Sequence, residues 1–176
     1  MVLLTRQNTT GSELIFEGKI LNLRVDQLQH PDGHKFRREV VEHNGGVVIL
    51  CQPEPDKVML IRQYRYPVDD ELIELPAGRL EKDEKALPAA QRELIEETGF
   101  QANNWEELPS MYSAPGFCTE VLYFFRASDL TFVGKKLDED EETDVMILPI
   151  QEAWQLVVNQ PVRDAKTIAG IALLRG

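Results

Sequence analysis

The sequence predicts an α/β domain, and three observations carry that reading. Residues 13–43 alternate in a β manner, two nearly continuous apolar runs follow (VVILCQ and KVMLIRQYR), and segments of helical character interleave with further strands up to the C-terminal DAKTIAGIALLR.

Element by element, LIFEGKI and LNLRVDQLQ read as strands, His30–His34 (HPDGH) as a turn and KFRREVVEH as the returning strand. Gly45-Gly46 then interrupts the pattern, dividing an N-terminal β region (1–45) from a domain over 46–176. VVILCQ and KVMLIRQYR are expected to pair as a hairpin around Pro53–Asp56, their unbroken apolar character marking strands buried on both faces. ELIELPAG reads as one short strand entering an acidic segment. The helix there is expected to start after Lys85, because that start puts Pro88 in the first turn, where its missing N–H costs nothing. Gly99 is the natural residue to end it. LPSMYSAPGF reads as a loop, VLYFFRA as a strand, DEDEETD as a charged loop and VMILPI as a strand. EAWQLVVN and DAKTIAGIALLR read as helices separated by Gln160-Pro161.

With 176 residues and 43% hydrophobic content, one domain with a substantial core is expected. No apolar run approaches the roughly 18 residues of a membrane span, and MVLLTRQNTTGSEL turns polar too soon for a secretory signal. A cytoplasmic protein is expected. Cys51 and Cys118 read as buried, reduced thiols, and His30, His34 and His43, which lack metal-site spacing, as surface or loop residues. The net charge of −11 argues against a nucleic-acid or membrane surface, where basic residues supply affinity. An anionic substrate requires a bound cation to invert the local field.

The stretch Gly78–Phe100, GRLEKDEKALPAAQRELIEETGF, poses that electrostatic question directly. At about 100° per residue, Glu93, Glu96 and Glu97 fall within one arc of a helix, although like charges four residues apart repel by a few tenths of a kcal/mol. Leu87, Ala90 and Leu94 occupy the adjacent face and are expected to pack inward, while Ala89 and Ala90 are small enough to admit another backbone. The acids therefore border the core. Either they form a solvated turn relieved by Arg92 or Lys85, or they hold a hard divalent cation such as Mg2+.

Gly78, five residues, Glu84, seven residues, then Arg92-Glu93-Leu94-Ile95-Glu96-Glu97-Thr98-Gly99-Phe100 resembles the Nudix box at every defined position. The resemblance implies an α/β/α sandwich with a mixed sheet, preceded here by the antiparallel N-terminal strands. It also implies Mg2+-dependent hydrolysis of a nucleoside diphosphate linked to another group, with Mn2+ as a substitute ion. Carried over by position, Glu93 and Glu97 are the principal metal ligands, Glu96 lies beside them as a further ligand or catalytic carboxylate, and the Ala77 carbonyl is a backbone ligand. Arg92 orients the glutamates, and Glu84 is a positioning residue.

The flanks EHNGGVVIL, IRQYRYP, ELPAGRLE and DAKTIAGIALL, and Pro115 sixteen residues beyond Gly99, are similar to the ADP-ribose pyrophosphatase branch. That likeness implies substrate contacts from Arg38 and Arg65, with Arg37 and Arg62 as competitors, and a substrate-side role for Pro115 and Gly116. Bidentate arginine suits a pyrophosphate. The loop LDEDEETDV alone reads as solvated. By the branch's register before Val145, it supplies Glu139 as general base and Glu141 as a further metal ligand, with Asp140 and Glu142 as neighbours. GKILNLRV contains no aromatic residue to stack on a base, leaving Phe16 or Phe36. The implied reaction converts ADP-ribose to AMP and ribose 5-phosphate; GDP-mannose, flavin dinucleotide and damaged nucleotides are alternative substrates. A non-catalytic ADP-ribose sensor is disfavoured by the complete box. A homodimer through residues 14–43 is expected.

Overall fold

The computed structural model describes residues 4–135 and 143–175. They form two compact units, one comprising the residues up to Gly45 with Tyr112–Val121, the other Gly46–Met111 and Leu122 onward.

In the N-terminal unit, strands β1 (Thr9–Glu17), β2 (Asn22–Gln29) and β3 (Lys35–Glu42) form an antiparallel sheet with β2 at its centre. Val25 and Leu28 of β2 are buried, as is Asp26, which accepts from Ser12 Oγ at 2.7 Å and from Arg24 Nε at 2.9 Å. A buried carboxylate with two donors is satisfied. By contrast Leu14, Ile15 and Phe16 of β1 are each at least half exposed (51%, 50% and 56%). The later segment joins through a tight turn: Phe117 N donates to Ala114 O at 3.1 Å, placing Pro115 at the second turn position, where its fixed φ is favoured. Val41 N then donates to Phe117 O at 2.8 Å and Thr119 N to Val41 O at 2.9 Å. His43 is a loop residue, but an enclosed one: its Nδ1 accepts the Gly45 N–H at 3.1 Å, and its side chain is only 11% exposed.

The larger unit is built from β4 (Gly46–Cys51), β5 (Lys57–Arg65), β6 (Asp70–Glu74), β7 (Ala77–Arg79), α1 (Ala86–Thr98), β8 (Phe100–Glu107), the two-residue β9 (Met111–Tyr112) at its margin, β10 (Val121–Phe132), β11 (Thr143–Pro149), α2 (Ile150–Val158) and α3 (Ala165–Arg175). One sheet runs β7-β4-β10-β8 and is mixed, because β4 and β10 are parallel; the other, β11-β5-β6, is antiparallel.

This corrects the expected hairpin of β4 with β5. Both strands exist, but each is central in a different sheet, its hydrogen-bonding edges taken by β7 and β10 or by β6 and β11. Their unbroken apolar runs reflect burial of both faces rather than mutual pairing. On β4, Val47, Ile49 and Cys51 pack with Ala89, Ala90 and Leu94 of α1, while Val48 and Leu50 pack with Ala153 and Val157 of α2 and Ile171 of α3. Helices thus cover both sides, giving the α/β/α arrangement. Burial pushes the Cys51 thiol up to about 12, so it carries no thiolate at neutral pH; Cys118 is also free but only partly buried.

Two further differences follow from local chemistry. ELIELPAG is two strands in separate sheets, β6 and β7, divided at Leu75-Pro76. Strand β8, FQANNWEE, is not expected from its polar sequence; among the described strands it pairs with β10 alone, its side chains mostly exposed except Ala102. Phe124, fully buried among Val48, Leu50, Leu75 and Ile171, is the largest side chain of the core on the α2/α3 side. Phe124→Ala is expected to lower unfolding free energy by about 3–5 kcal/mol in denaturant titration.

Candidate active site

Helix α1 begins after Lys85, as the position of Pro88 requires, and ends at Gly99, whose φ of +78° is left-handed and whose N–H donates to Ile95 O at 2.9 Å. Ala89, Ala90 and Leu94 are fully buried. Leu87 does not pack inward: it is 38% exposed in the first turn, where Ala86 instead contacts the core.

The close approach allowed by the two alanines sets the carboxylates against β7. Glu97 is 2% exposed, and its Oε2 accepts the Ala77 N–H at 2.9 Å. The Glu93 carboxylate lies over Gly78, where an added Cβ would stand 1.8 Å from Glu93 Cδ, so a side chain there would displace that carboxylate. Arg92 binds the rest. Its Nη1 donates to Glu93 Oε1 and Glu96 Oε2, each at 2.8 Å, its Nε and Nη2 to the two oxygens of Glu84 at 3.2 and 3.1 Å, and its Nη2 also to Arg79 O at 3.1 Å. The Glu84 hydrogen bonds raise the Arg92 pKa far above its ordinary value against the opposing effect of burial, with Glu93 and Glu96 adding to the rise. Reciprocally, the Arg92 hydrogen bond holds the Glu84 carboxyl below its usual range.

The end of α1 also fastens residues on both sides of the acidic stretch 136–142. Thr143 Oγ1 donates to Glu97 O at 2.7 Å, and Lys135 Nζ donates to Thr143 O at 2.5 Å and Thr143 Oγ1 at 3.1 Å. Val133 N and Gly134 N both donate to Gly99 O, at 2.8 and 3.2 Å. Glu139 and Glu141, with Asp140 and Glu142, lie outside the described residues.

Arg65 is held by Glu74, a residue the sequence reading did not single out. Nε and Nη2 of Arg65 donate to the two Glu74 oxygens, each at 2.8 Å, and Lys166 Nζ makes a further short contact to Glu74 Oε2. Glu74 is 1% exposed. Lys166 also pairs with Asp164 at 3.1 Å. Asp164 caps α3 by accepting from Thr167 N and Thr167 Oγ1, and that hydroxyl accepts the Leu75 N–H at 2.8 Å. The sequence offers one weak signal for this cluster, a glutamate between Ile73 and Leu75 in an apolar strand. Its cations stand nine and 92 residues away. Arg62 is exposed on β5. Arg38, Arg37, Pro115 and Gly116 belong to the N-terminal unit and are exposed; Arg38 Nη1 donates to Arg37 O at 3.0 Å. Phe16 and Phe36 are in the same unit, 56% and 37% exposed.

Among the described residues, no three carboxylate, imidazole or thiol groups already close around a point where a metal ion would sit. The donor chemistry nevertheless fits a hard divalent cation. Glu93, Glu96 and Glu97 offer only oxygen, and the bare Gly78 backbone leaves Glu93 room against β7. Arg92 supplies the positive charge among these groups in this structure.

The NUDIX domain family matches residues 41–169. The chain belongs to the Nudix family. A second family, the nucleoside diphosphate sugar hydrolase N-terminal domain, matches residues 8–41. Similar Nudix relatives include an ADP-ribose pyrophosphatase of Bacillus subtilis (strain 168), 37% identical over 96% of this chain and 92% of the relative. A methanol dehydrogenase activator of Bacillus methanolicus is 36% identical over 98% and 94%. A GDP-mannose pyrophosphatase of Cronobacter sakazakii is 37% identical over 84% and 82%. A solved structure described as an ADP compounds hydrolase superimposes with a TM-score of 0.83 over 95% of this chain and 91% of that one; at 23% identity the likeness concerns the Nudix fold.

Burial alone would raise the pKa of Glu74, but the Arg65 hydrogen bonds and the Lys166 charge outweigh it and hold the carboxyl below its usual value. A depressed folded-state pKa stabilises the fold above the unfolded-state value, about 4.3 for glutamate, and that stability is lost as pH falls through the folded value. Melting temperature is therefore expected to drop below about pH 4.3, and Glu74→Gln to lower it at neutral pH and flatten its acid slope in thermal scans.

Proposed function

We propose that this Nudix protein hydrolyses the pyrophosphate bond of ADP-ribose or a related ADP-sugar, releasing AMP and, from ADP-ribose, ribose 5-phosphate. The observation that carries the reading is the assembled box, in which Glu93 and Glu97 meet the β7 backbone and Arg92 binds Glu93 and Glu96. The names of relatives aligned over nearly the whole chain narrow the substrate to nucleotide sugars.

Glu93 and Glu97, with Glu96, the Ala77 carbonyl and Glu141, are the groups that would hold Mg2+, or Mn2+ in its place. A divalent ion bound there supplies positive charge to the pyrophosphate oxygens and acidifies water. The protein's own groups do the rest. Arg92 keeps the glutamates oriented and Arg65 binds the pyrophosphate through charge-assisted hydrogen bonds; within the N-terminal unit, Arg38, Pro115 and Gly116 are the candidate substrate-binding residues. Glu139 accepts the proton of the attacking water, with Glu96 as the alternative base. The hydrogen bond of Thr143 to the Glu97 carbonyl, with Lys135 donating to Thr143, supports this role, because it holds residues flanking 136–142 beside the turn that carries a box carboxylate.

A substrate panel with Mg2+ tests the reading. AMP release from ADP-ribose is expected to exceed turnover of GDP-mannose and flavin dinucleotide. Faster GMP release from GDP-mannose would move the assignment to that sugar nucleotide. Glu97→Gln is expected to cut kcat by about 10²-fold or more, the scale of losing a principal electrostatic group, with a normal far-UV spectrum. Undiminished turnover at saturating Mg2+ would remove Glu97 from the metal set.

No helix among the described residues is long and apolar enough to cross a membrane. A cytoplasmic enzyme is our reading, and the net charge of −11 disfavours nucleic-acid and lipid surfaces, where basic residues supply affinity. The exposed Leu14, Ile15, Phe16 and Ile20 support a homodimer through residues 14–43, since contiguous exposed apolar side chains mark association surfaces. Light scattering at micromolar concentration is expected to give twice the chain mass of 20.1 kDa; a monomeric mass would refute the dimer.

A further inference from the structure

The guanidinium of Arg65 is committed on one side and open on the other. Its Nε–H and one Nη2–H are held by the two oxygens of Glu74. That leaves three of its five N–H groups, both on Nη1 and the second on Nη2, directed away from the carboxylate. The side chain remains 34% exposed, whereas its Glu74 partner is 1% exposed. A long, flexible side chain is thus fixed by a planar two-point contact to a carboxylate that cannot move into solvent.

Glu74 is itself fixed from a second direction. Lys166, near the start of α3, contacts Glu74 Oε2 and pairs with Asp164, and Asp164 is locked by the Thr167 cap. The four side chains comprise two cations and two anions, so the buried carboxylate stays ionised without leaving net charge in the core. The negative charge of Glu97 also contributes to holding Arg65 protonated, which relates the arginine to the box.

We propose that Glu74 is a positioning residue for the reaction, gripping one edge of the Arg65 guanidinium so that the opposite edge is presented to the substrate pyrophosphate. The inference rests on Arg65 contacting that pyrophosphate, as assigned above. Preorganisation of this kind lowers the ordering cost of binding, so its loss weakens substrate affinity more than it slows the chemical step. Lys166 serves the same carboxylate differently: it stabilises the buried charge but does not aim the arginine.

The test is steady-state kinetics with ADP-ribose and Mg2+ on five variants, each checked by thermal melting. Glu74→Gln and Arg65→Lys are each expected to raise KM about 10-fold while kcat changes less than about threefold, the signature of lost binding in ground and transition states alike. The double variant is expected to be no worse than the worse single, because the two residues act through one contact. Lys166→Met is expected to melt earlier with unchanged KM. Glu74→Asp keeps the charge but draws the arginine inward; it is expected to raise KM too, and serves if the glutamine variant does not fold. The proposal is overturned if Glu74 variants bind ADP-ribose normally, if the KM effects multiply in the double variant, or if Lys166→Met raises KM as much as Glu74→Gln. An unchanged KM in Arg65→Lys removes the arginine from the pyrophosphate and the proposal with it. Lack of ADP-ribose turnover by the unaltered protein defeats the substrate assignment before any variant is made.

Discussion

Everything at the box depends on compensation of negative charge at one end of α1. Three glutamates within five residues repel one another, and a thirteen-residue helix has little intrinsic stability to spend on that repulsion. Arg92 resolves it from within the same helix. Its fork reaches Glu93 and Glu96 with one nitrogen and Glu84 with the others, and its contact with the Arg79 carbonyl ties the preceding loop to the helix. The arginine thereby sets the directions of the carboxylates and the path of residues 79–85. A lysine has one point charge and could not span those acceptors.

The second constraint is distance. Ala89 and Ala90, both fully buried, let α1 lie close enough to β4 and β7 for the Glu97 side chain to reach a main-chain N–H and for Glu93 to rest over a bare glycine. Larger residues at either alanine would lift the helix and separate those groups. The chemistry of the acids and the packing of the small residues are therefore one design. The apolar side of α1 determines where its polar side points.

How much of this was legible follows from where each determinant lies in the chain. The helix limits were readable because Pro88 and Gly99 act locally through backbone geometry, and the box because its residues are contiguous. The separation of β4 from β5 was not, since an apolar run records burial but not which strand is alongside. Strand β8 escaped because FQANNWEE gains its identity from pairing with β10, not from its own propensity. The burial of Glu74 escaped for a related reason: its partners come from β5 and α3, and only the folded chain brings them to one carboxylate. Leu87 shows the limit of helical periodicity, which gives a direction but not how far the opposing layer extends.

The clasp formed by Lys135, Thr143 and the Glu97 carbonyl has a consequence for how this protein can change. Val133, Gly134 and Thr143 are secured at the end of α1 through the Gly99 and Glu97 carbonyls, and Lys135 is tied to Thr143, so the flanks of 136–142 are held by contacts that this span does not itself make. Loop-closure entropy rises by only about 0.6 kcal/mol for each doubling of length. Changes of length within that span should therefore be thermodynamically mild and leave the contacts at its flanks in place.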